Sequence, residues 1–398
     1  MLRDKMLAII SELNDEIVER YELIMCIAIA LLASLNLFIL GETGQAKSYA
    51  INKFRERIKG AIQFERLLTK QSDETDLFGH IDIPSLIAGS PKINTTGMIP
   101  EAHIVFLDEI FKCNEGVLNA LLTAFHERKY TNQGEIVNIP VISFMSATNP
   151  DEIPNFNNPE EKILRPLYDR LHLKIVTHDI QSREERLRML KLKRSKANEE
   201  MTATITLDEL RAMQAETASV IISEKIDELM DKILCELRRR GIHVSDRKFL
   251  NYYPIAQAQA WLNGRDFVTD ADLIVLKYYF WTEVAEIATI EKVLEQFCVN
   301  PVQEQLKEIT QMAGESYDEF KANVCTKPTK ALMKLRGELL RLYATLTQTE
   351  ASAFNTDGKA AVAKAIDNLE KISKTAHQKC SLTYAPLPEL LALQGGHA

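Results

Sequence analysis

The chain has 398 residues, 46% of them hydrophobic and 26% charged, and a formal net charge of −8. That composition provides for a sizeable core in two or three domains and excludes a largely disordered chain; a nucleic-acid binder would show a basic excess instead. The six cysteines (Cys26, Cys113, Cys235, Cys298, Cys325 and Cys380) form no C-x-x-C pair and the eight histidines have no ligand spacing, so neither a zinc site nor a disulfide framework is expected, and a reducing, cytoplasmic compartment is.

Taken in chain order, the first notable stretch is "LIMCIAIALLASLNLFIL" at 23–40, 18 residues without a charge. This is the lower limit for a membrane span. Ser34 and Asn36 interrupt it and "LFIL" runs straight into a glycine loop, so the expectation is a buried helix, a turn and a buried strand, with no transmembrane segment. The acidic residues Asp15, Glu16, Glu19 and Glu22 argue against a secretory leader. Short apolar runs at 37–40, 103–108, 141–148 and 171–176 predict parallel strands covered on both faces, with helices between them such as 116–128. The pattern is a doubly wound α/β core over 1–185.

From about 185 the strand signal fades. Helices are predicted over 207–217, 220–240, 245–262 and 270–287, with Thr269 or Asp270 as an N-cap, giving an all-α domain over 186–290. The basic runs "KLKRSK" (191–196) and "RRR" (238–240) read as solvated helix faces, and no specific nucleic-acid partner is expected. Over 291–398, leucines 332, 335, 339, 342 and 346, then Val362, Ala365, Leu369 and Ile372, recur at spacings of three and four on either side of "NTDG" (355–358). Two such stripes predict an antiparallel helical hairpin, packed as an ordinary bundle.

The chemistry begins at "GETGQAKS", residues 41–48. A phosphate loop follows the pattern G-x-x-x-x-G-K-[ST], and here Ala46 stands at the second glycine. Gly41, Glu42, Thr43, Gly44 and Gln45 form the turn. Ala46 is expected where the helix begins, near right-handed geometry, where a methyl group is tolerable. Lys47 can reach the outer phosphates and Ser48 can hold Mg²⁺. Sixty residues after Ser48, the strand "IVFL" ends in Asp108 and Glu109. An acid at the carboxyl end of a buried strand sits where open α/β sheets bind ligands. Asp108 would complete the metal shell and Glu109 would activate water. "SATNP" places Asn149 at a third strand tip, "LRPLYDRLHLK" offers Arg165 and Arg170, and "VSDR" puts Arg247 at a helix start behind Ser245.

In this order the motifs resemble those of AAA+ ATPases of the MoxR type, closest to the RavA branch, whose members also carry Ala before the loop lysine. The stretch 76–110 resembles the helix-2 insert of that clade, 128–140 its hairpin before the sensor strand, and 20–32, which begins the helix at Tyr21, the N-terminal helix near the adenine. The resemblance covers 15–290 and weakens beyond; no β-rich insert of the RavA kind is evident in the tail. It implies ATP and Mg²⁺ as ligands, Lys47 and Ser48 in the Walker A role, Asp108 and Glu109 in Walker B, Asn149 as sensor 1 and Arg247 as sensor 2. Arg170, with Arg165 in reserve, is implied as the finger donated to a neighbouring subunit. It further implies a homo-oligomeric ring, a hexamer, and chaperone-like remodelling of a protein client with a von Willebrand factor A domain. Three other readings stand beside it. One is a sigma-54-type activator, although "SPKINTTGMI" replaces its GAFTGA loop. The others are a P-loop kinase without a ring, and a nucleotide-gated scaffold.

Overall fold

The computed structural model describes residues 2–89, 92–132, 135–154, 158, 164–195, 202–298, 301–324, 328–352, 356–380 and 382–395. It divides into two compact units, Met1–Glu291 and Lys292–Ala398.

The first unit is built on five parallel strands: β1 (Leu37–Leu40), β2 (Gln63–Leu67), β3 (Ile104–Asp108), β4 (Ser143–Thr148) and β5 (Leu173–Val176). They lie in the order β5-β1-β4-β3-β2. The three central strands are buried almost throughout; β1 and most of β3 are unbroken apolar runs, and β4 also buries the hydroxyls of Ser143, Ser146 and Thr148. β2 was not legible in the sequence. It is an edge strand, "QFERL", in which Phe64 alone is buried and the last three residues are exposed, so it lacks the apolar run that marks a central strand.

Side chains alternate between the faces of the sheet. Phe38, Leu40, Val105, Leu107 and Phe144 pack with a helix over Glu115–Glu127. On the other face lie α1 (Leu2–Glu16), α2 (Tyr21–Leu32) and α3 (Lys47–Glu56), with α2 against β1 and β5 and α3 against β3. Nine of the twelve residues of α2 are buried, which accounts for the uncharged run at its start. Among the described residues, no helix is long and apolar enough to cross a membrane. Two antiparallel ribbons project from the core, one pairing His80–Ile81 with Ile93–Asn94, the other Lys129–Asn132 with Glu135–Asn138.

The helical part of this unit is more broken than the periodicity predicts. Leu207–Ala218 opens on a Thr206/Glu209 capping box, and Glu224–Arg239 follows an extended stretch. The predicted 245–262 helix is two, Asp246–Leu250 and Tyr253–Leu262. Pro254 in the first turn of the second has no N–H to continue the first. The predicted 270–287 helix is a 3-10 segment, Asp270–Leu276, capped by Thr269, followed by the single turn Lys277–Phe280. Strand β5 is pinned to this region. Lys174, fully buried, donates to the Trp281 carbonyl at 2.7 Å and lies over the Tyr168 ring, while Lys248 donates to the Phe280 carbonyl at 3.1 Å.

The second unit is a helical bundle. Pro301–Asn323, Pro328–Ser352 and Thr356–Lys379 pack pairwise, with Leu387–Gly395 against the second. The predicted stripes do face inward: Leu332, Leu335, Leu339, Leu342 and Leu346 meet Val362, Ala365 and Leu369, with Leu306, Ile309 and Phe320 of a third helix completing the core. Of the predicted turn, Asn355 lies outside the described residues and 356–358 already belong to a helix. Cys325 also lies outside them; Cys26, Cys113, Cys235 and Cys380 are free thiols.

Candidate nucleotide site

The strand order builds the site. Because β4 lies between β1 and β3, whatever follows β4 is placed between the loop after β1 and the acids ending β3. The register sets Leu40 opposite Thr148 and Asp108 opposite Ala147. The Gly41 N–H donates to the Thr148 carbonyl at 3.2 Å, carrying the sheet one residue into the loop.

The loop is held at two glycines. A Cβ on Gly41 would collide with the Thr177 hydroxyl and the Gln45 amide oxygen, and Gly44 has φ +89°. Ala46 departs from expectation. Its φ of 59° and ψ of 26° are left-handed, so it ends the loop and does not begin the helix. An L-residue there costs about 1–2 kcal/mol, the reason glycine is usual at this point. Helix α3 starts at Lys47. Its first backbone bond runs from Ala50 N–H to the Ala46 carbonyl, so the amides of Lys47, Ser48 and Tyr49 precede the helical ladder and are free to meet an anion. Lys47 is buried, its Nζ donating to the Gly41 carbonyl. Burial lowers its pKa, and the nearby Asp108, Glu109 and Glu152 oppose that shift.

Asp108 ends β3, and Glu109 turns away with φ 55° and ψ 46°, also left-handed. Its N–H donates back to Asp108 Oδ1 at 3.1 Å. The turn aims the Glu109 carboxyl at Asn149, whose Nδ2 donates to Oε1 at 2.9 Å. Glu109 Oε2 and Asn149 Oδ1 are buried without a hydrogen-bond partner among the described residues. Lys112 Nζ lies 3.6 Å from Glu109 Oε2, an ion-pair distance longer than a hydrogen bond, so both buried oxygens can still accept from a donor such as water. Burial, then Glu152 and Asp108, push the Glu109 carboxyl up to about 6, against the pull of Lys112. The nearby Glu109 carboxyl, and Lys112 with its Nζ 2.6 Å away, lower Glu152.

The remaining predicted residues fall elsewhere. Glu42 and Thr43 are exposed, and Ser48 is half-buried in the first turn of α3. The Gln45 side chain is turned inward, away from the loop's open face. Tyr21 begins α2 with its side chain 61% exposed. Arg165 is exposed at the start of the short helix Arg165–Tyr168. Arg170 donates to the Pro166 carbonyl at 2.7 Å, and burial and then nearby Arg247 lower its pKa. Arg247 sits in the helix Asp246–Leu250, which Ser245 caps by accepting from the Lys248 N–H. Thus Lys47, Asp108, Glu109 and Asn149 are brought together, and Arg170 and Arg247 approach each other. Neither arginine forms an ion pair with Asp108 or Glu109 among the described residues.

A family model described as the MoxR domain in the MoxR-vWA-beta-propeller ternary systems matches residues 4–216. The chain belongs to the MoxR family of AAA+ ATPases. An AAA lid domain matches residues 221–294. Two uncharacterized proteins of Methanocaldococcus jannaschii are similar to this MoxR chain. One is 36% identical over 286 residues, 71% of this chain and 72% of that protein; the other is 34% identical over 276 residues, 69% and 71%. A structural protein of Acidianus two-tailed virus is 30% identical over 150 residues, 37% of this chain and 24% of that protein. The crystal structure of a candidate ATPase from Cytophaga hutchinsonii superposes with a TM-score of 0.60 and 19% identity, over 74% of this chain and 94% of that one; at such identity the likeness is one of fold.

Sequence reasoning did not single out two residues that the structure places beside Glu109 in the candidate site, Lys112 and Glu152. Each stands three residues after a residue it did find, Glu109 and Asn149. Each ends a 3-10 turn, Ile110–Lys112 and Pro150–Glu152, which brings its third residue back over the cap residue that precedes the turn. The i+3 positions of Glu109 and Asn149 are where the sequence carries that signal.

Proposed function

We propose that this MoxR chain hydrolyses ATP with Mg²⁺ in a homo-oligomeric ring, a hexamer of the RavA-like branch, and uses the cycle to remodel or activate a partner protein. The observation that carries the reading is the Glu109–Asn149 pair, presenting two buried oxygens that accept no hydrogen bond among the described residues, beside buried Lys47 and the open amino end of α3. The amides of α3 and Lys47 bind the phosphates. Ser48 and Asp108, an oxygen pair of the kind Mg²⁺ favours, hold the metal, which neutralises phosphate charge when bound. Asn149 positions the attacking water and Glu109 accepts its proton. Arg247 reaches the nucleotide from the lid, and Arg170, which forms no ion pair with Asp108 or Glu109 among the described residues, serves the neighbouring copy's site. In this reading core, lid and tail are 1–185, 186–290 and 291–398, and the protein is cytoplasmic. A partner with a von Willebrand factor A domain is supported by the wording of the matching family description, which names such systems.

The test is Glu109→Gln, which keeps the hydrogen bond to Asn149 and removes the base. ATP turnover is expected to fall by about 10²–10⁴-fold, with ATP binding retained. Unchanged turnover would overturn the assignment of Glu109, and with it the hydrolytic reading of this cluster.

A further inference from the structure

Gln45 lies in the phosphate loop, but its side chain is only 6% exposed and is fully engaged away from the loop's open face. Oε1 accepts from the Thr177 hydroxyl at 2.7 Å, and Nε2 donates to Asp179 Oδ1 at 3.2 Å. The Gln45 carbonyl accepts from Arg20 Nε at 3.0 Å. Arg20 is itself buried, and its other nitrogens donate to the carbonyls of Glu19 and His178 at 2.8 and 2.9 Å. The Glu19 carboxylate accepts from the backbone N–H groups of Gln181 and Ser182, both at 2.9 Å. Five of the seven residues from Thr177 to Arg183 are therefore bonded to Gln45 or to the pair before α2. This stretch leaves β5 and runs into the helix Arg183–Ser195, the covalent path from the sheet to the lid. Gly41 has room for no Cβ because the Gln45–Thr177 bond passes beside it.

We propose that Gln45 is a positioning residue, a strut that ties the phosphate loop to segment 177–183, so that nucleotide binding in the loop is transmitted to the connection leading to the lid. The proposal rests on the reading of this loop as a nucleotide site. The strut acts in both directions, as coupling between two sites must: a displaced connection weakens nucleotide binding as much as bound nucleotide biases the connection.

The test uses the full chain, ADP with Mg²⁺ as the probe, and hydrogen–deuterium exchange of peptides spanning 177–183. In the wild type, ADP should change the protection of this segment. Gln45→Glu sets a second carboxylate against Asp179 in place of an amide donor. It should weaken ADP binding about tenfold or more and abolish the change. Pairing it with Asp179→Asn reverses donor and acceptor, keeps the Thr177 bond and the net charge, and should restore affinity to within about threefold and restore the change. The proposal is overturned if Gln45→Glu binds ADP and shifts 177–183 as the wild type does, or if the double variant is no better than the single. It is also overturned if the wild type binds ADP with no change in 177–183, a result that leaves the nucleotide site standing. Failure of the wild type to bind ADP overturns the site and the strut together. Should Gln45→Glu lose its cooperative thermal transition, Asp179→Ala serves instead, and an undiminished ADP response in that variant overturns the proposal.

Discussion

Two site residues, Ala46 and Glu109, hold left-handed backbone that L-residues rarely adopt. At Ala46 the methyl group makes no bond that would compensate, so Ala46→Gly should stabilise the fold by about 1 kcal/mol, net of the glycine's greater freedom when unfolded. Urea titration of the two forms measures it. At Glu109 the strained turn has a visible result: it points the carboxyl at Asn149. With that carboxyl pushed up to about 6, it is protonated at lower pH and, in the proposed role, cannot then accept the water's proton. Accordingly kcat/KM for ATP should rise with pH through about 6. Replacing the neighbouring acid by Glu152→Gln should move the inflection downward, since the negative charge of Glu152 is one of the causes holding the proton on Glu109. A pH profile of each form decides the point.

The same residues mark the reach of the sequence among the elements. Strands β1, β3 and β4 were legible because burial on both faces forces an apolar run, and the residues at their tips were legible with them. Edge strand β2 was not, since its Gln63 and Glu65 meet the polar side chains of Asn52 and Arg55 in α3 and leave no apolar run. The handedness of Ala46 was not either, because residue type alone does not report φ. Glu152 and Lys112 enter the site through 3-10 turns that leave no periodic trace. Nor does any pattern announce that Lys174 of β5 would be buried against Trp281 beside Lys248. Burial, and then Lys248, hold the Lys174 amine well below its usual 10.5. Between that lowered value and 10.5 the unfolded chain binds more protons than the native one, so this lysine's penalty on stability lessens as pH rises. Lys174→Met should therefore be neutral or stabilising near neutrality. The wild type should gain stability relative to it as pH rises toward 10.5, as read by denaturant melts at a series of pH values.

At the scale of the whole molecule, the proposed function makes the site a property of more than one chain. An Arg170→Ala protein and a Glu109→Gln protein should each be nearly inactive, the first by about 10³-fold or more if Arg170 is the finger. Mixed, they should recover turnover, because an intact Glu109 on one copy can then face an intact Arg170 on the next; steady-state ATPase assays of the mixture against each variant alone check this. The sheet carries a consequence for any such assembly. Asn36, just ahead of β1 and fully buried, donates to the Arg170 carbonyl at 2.9 Å, while Gly41 begins the phosphate loop just past the strand's other end. β1 has four residues and spans about 13 Å. One short, inextensible rod thus separates what a copy offers its neighbour from what it receives. If the copies close into a ring, the spacing of their sites is gauged by that rod, and no movement of the lid can lengthen it.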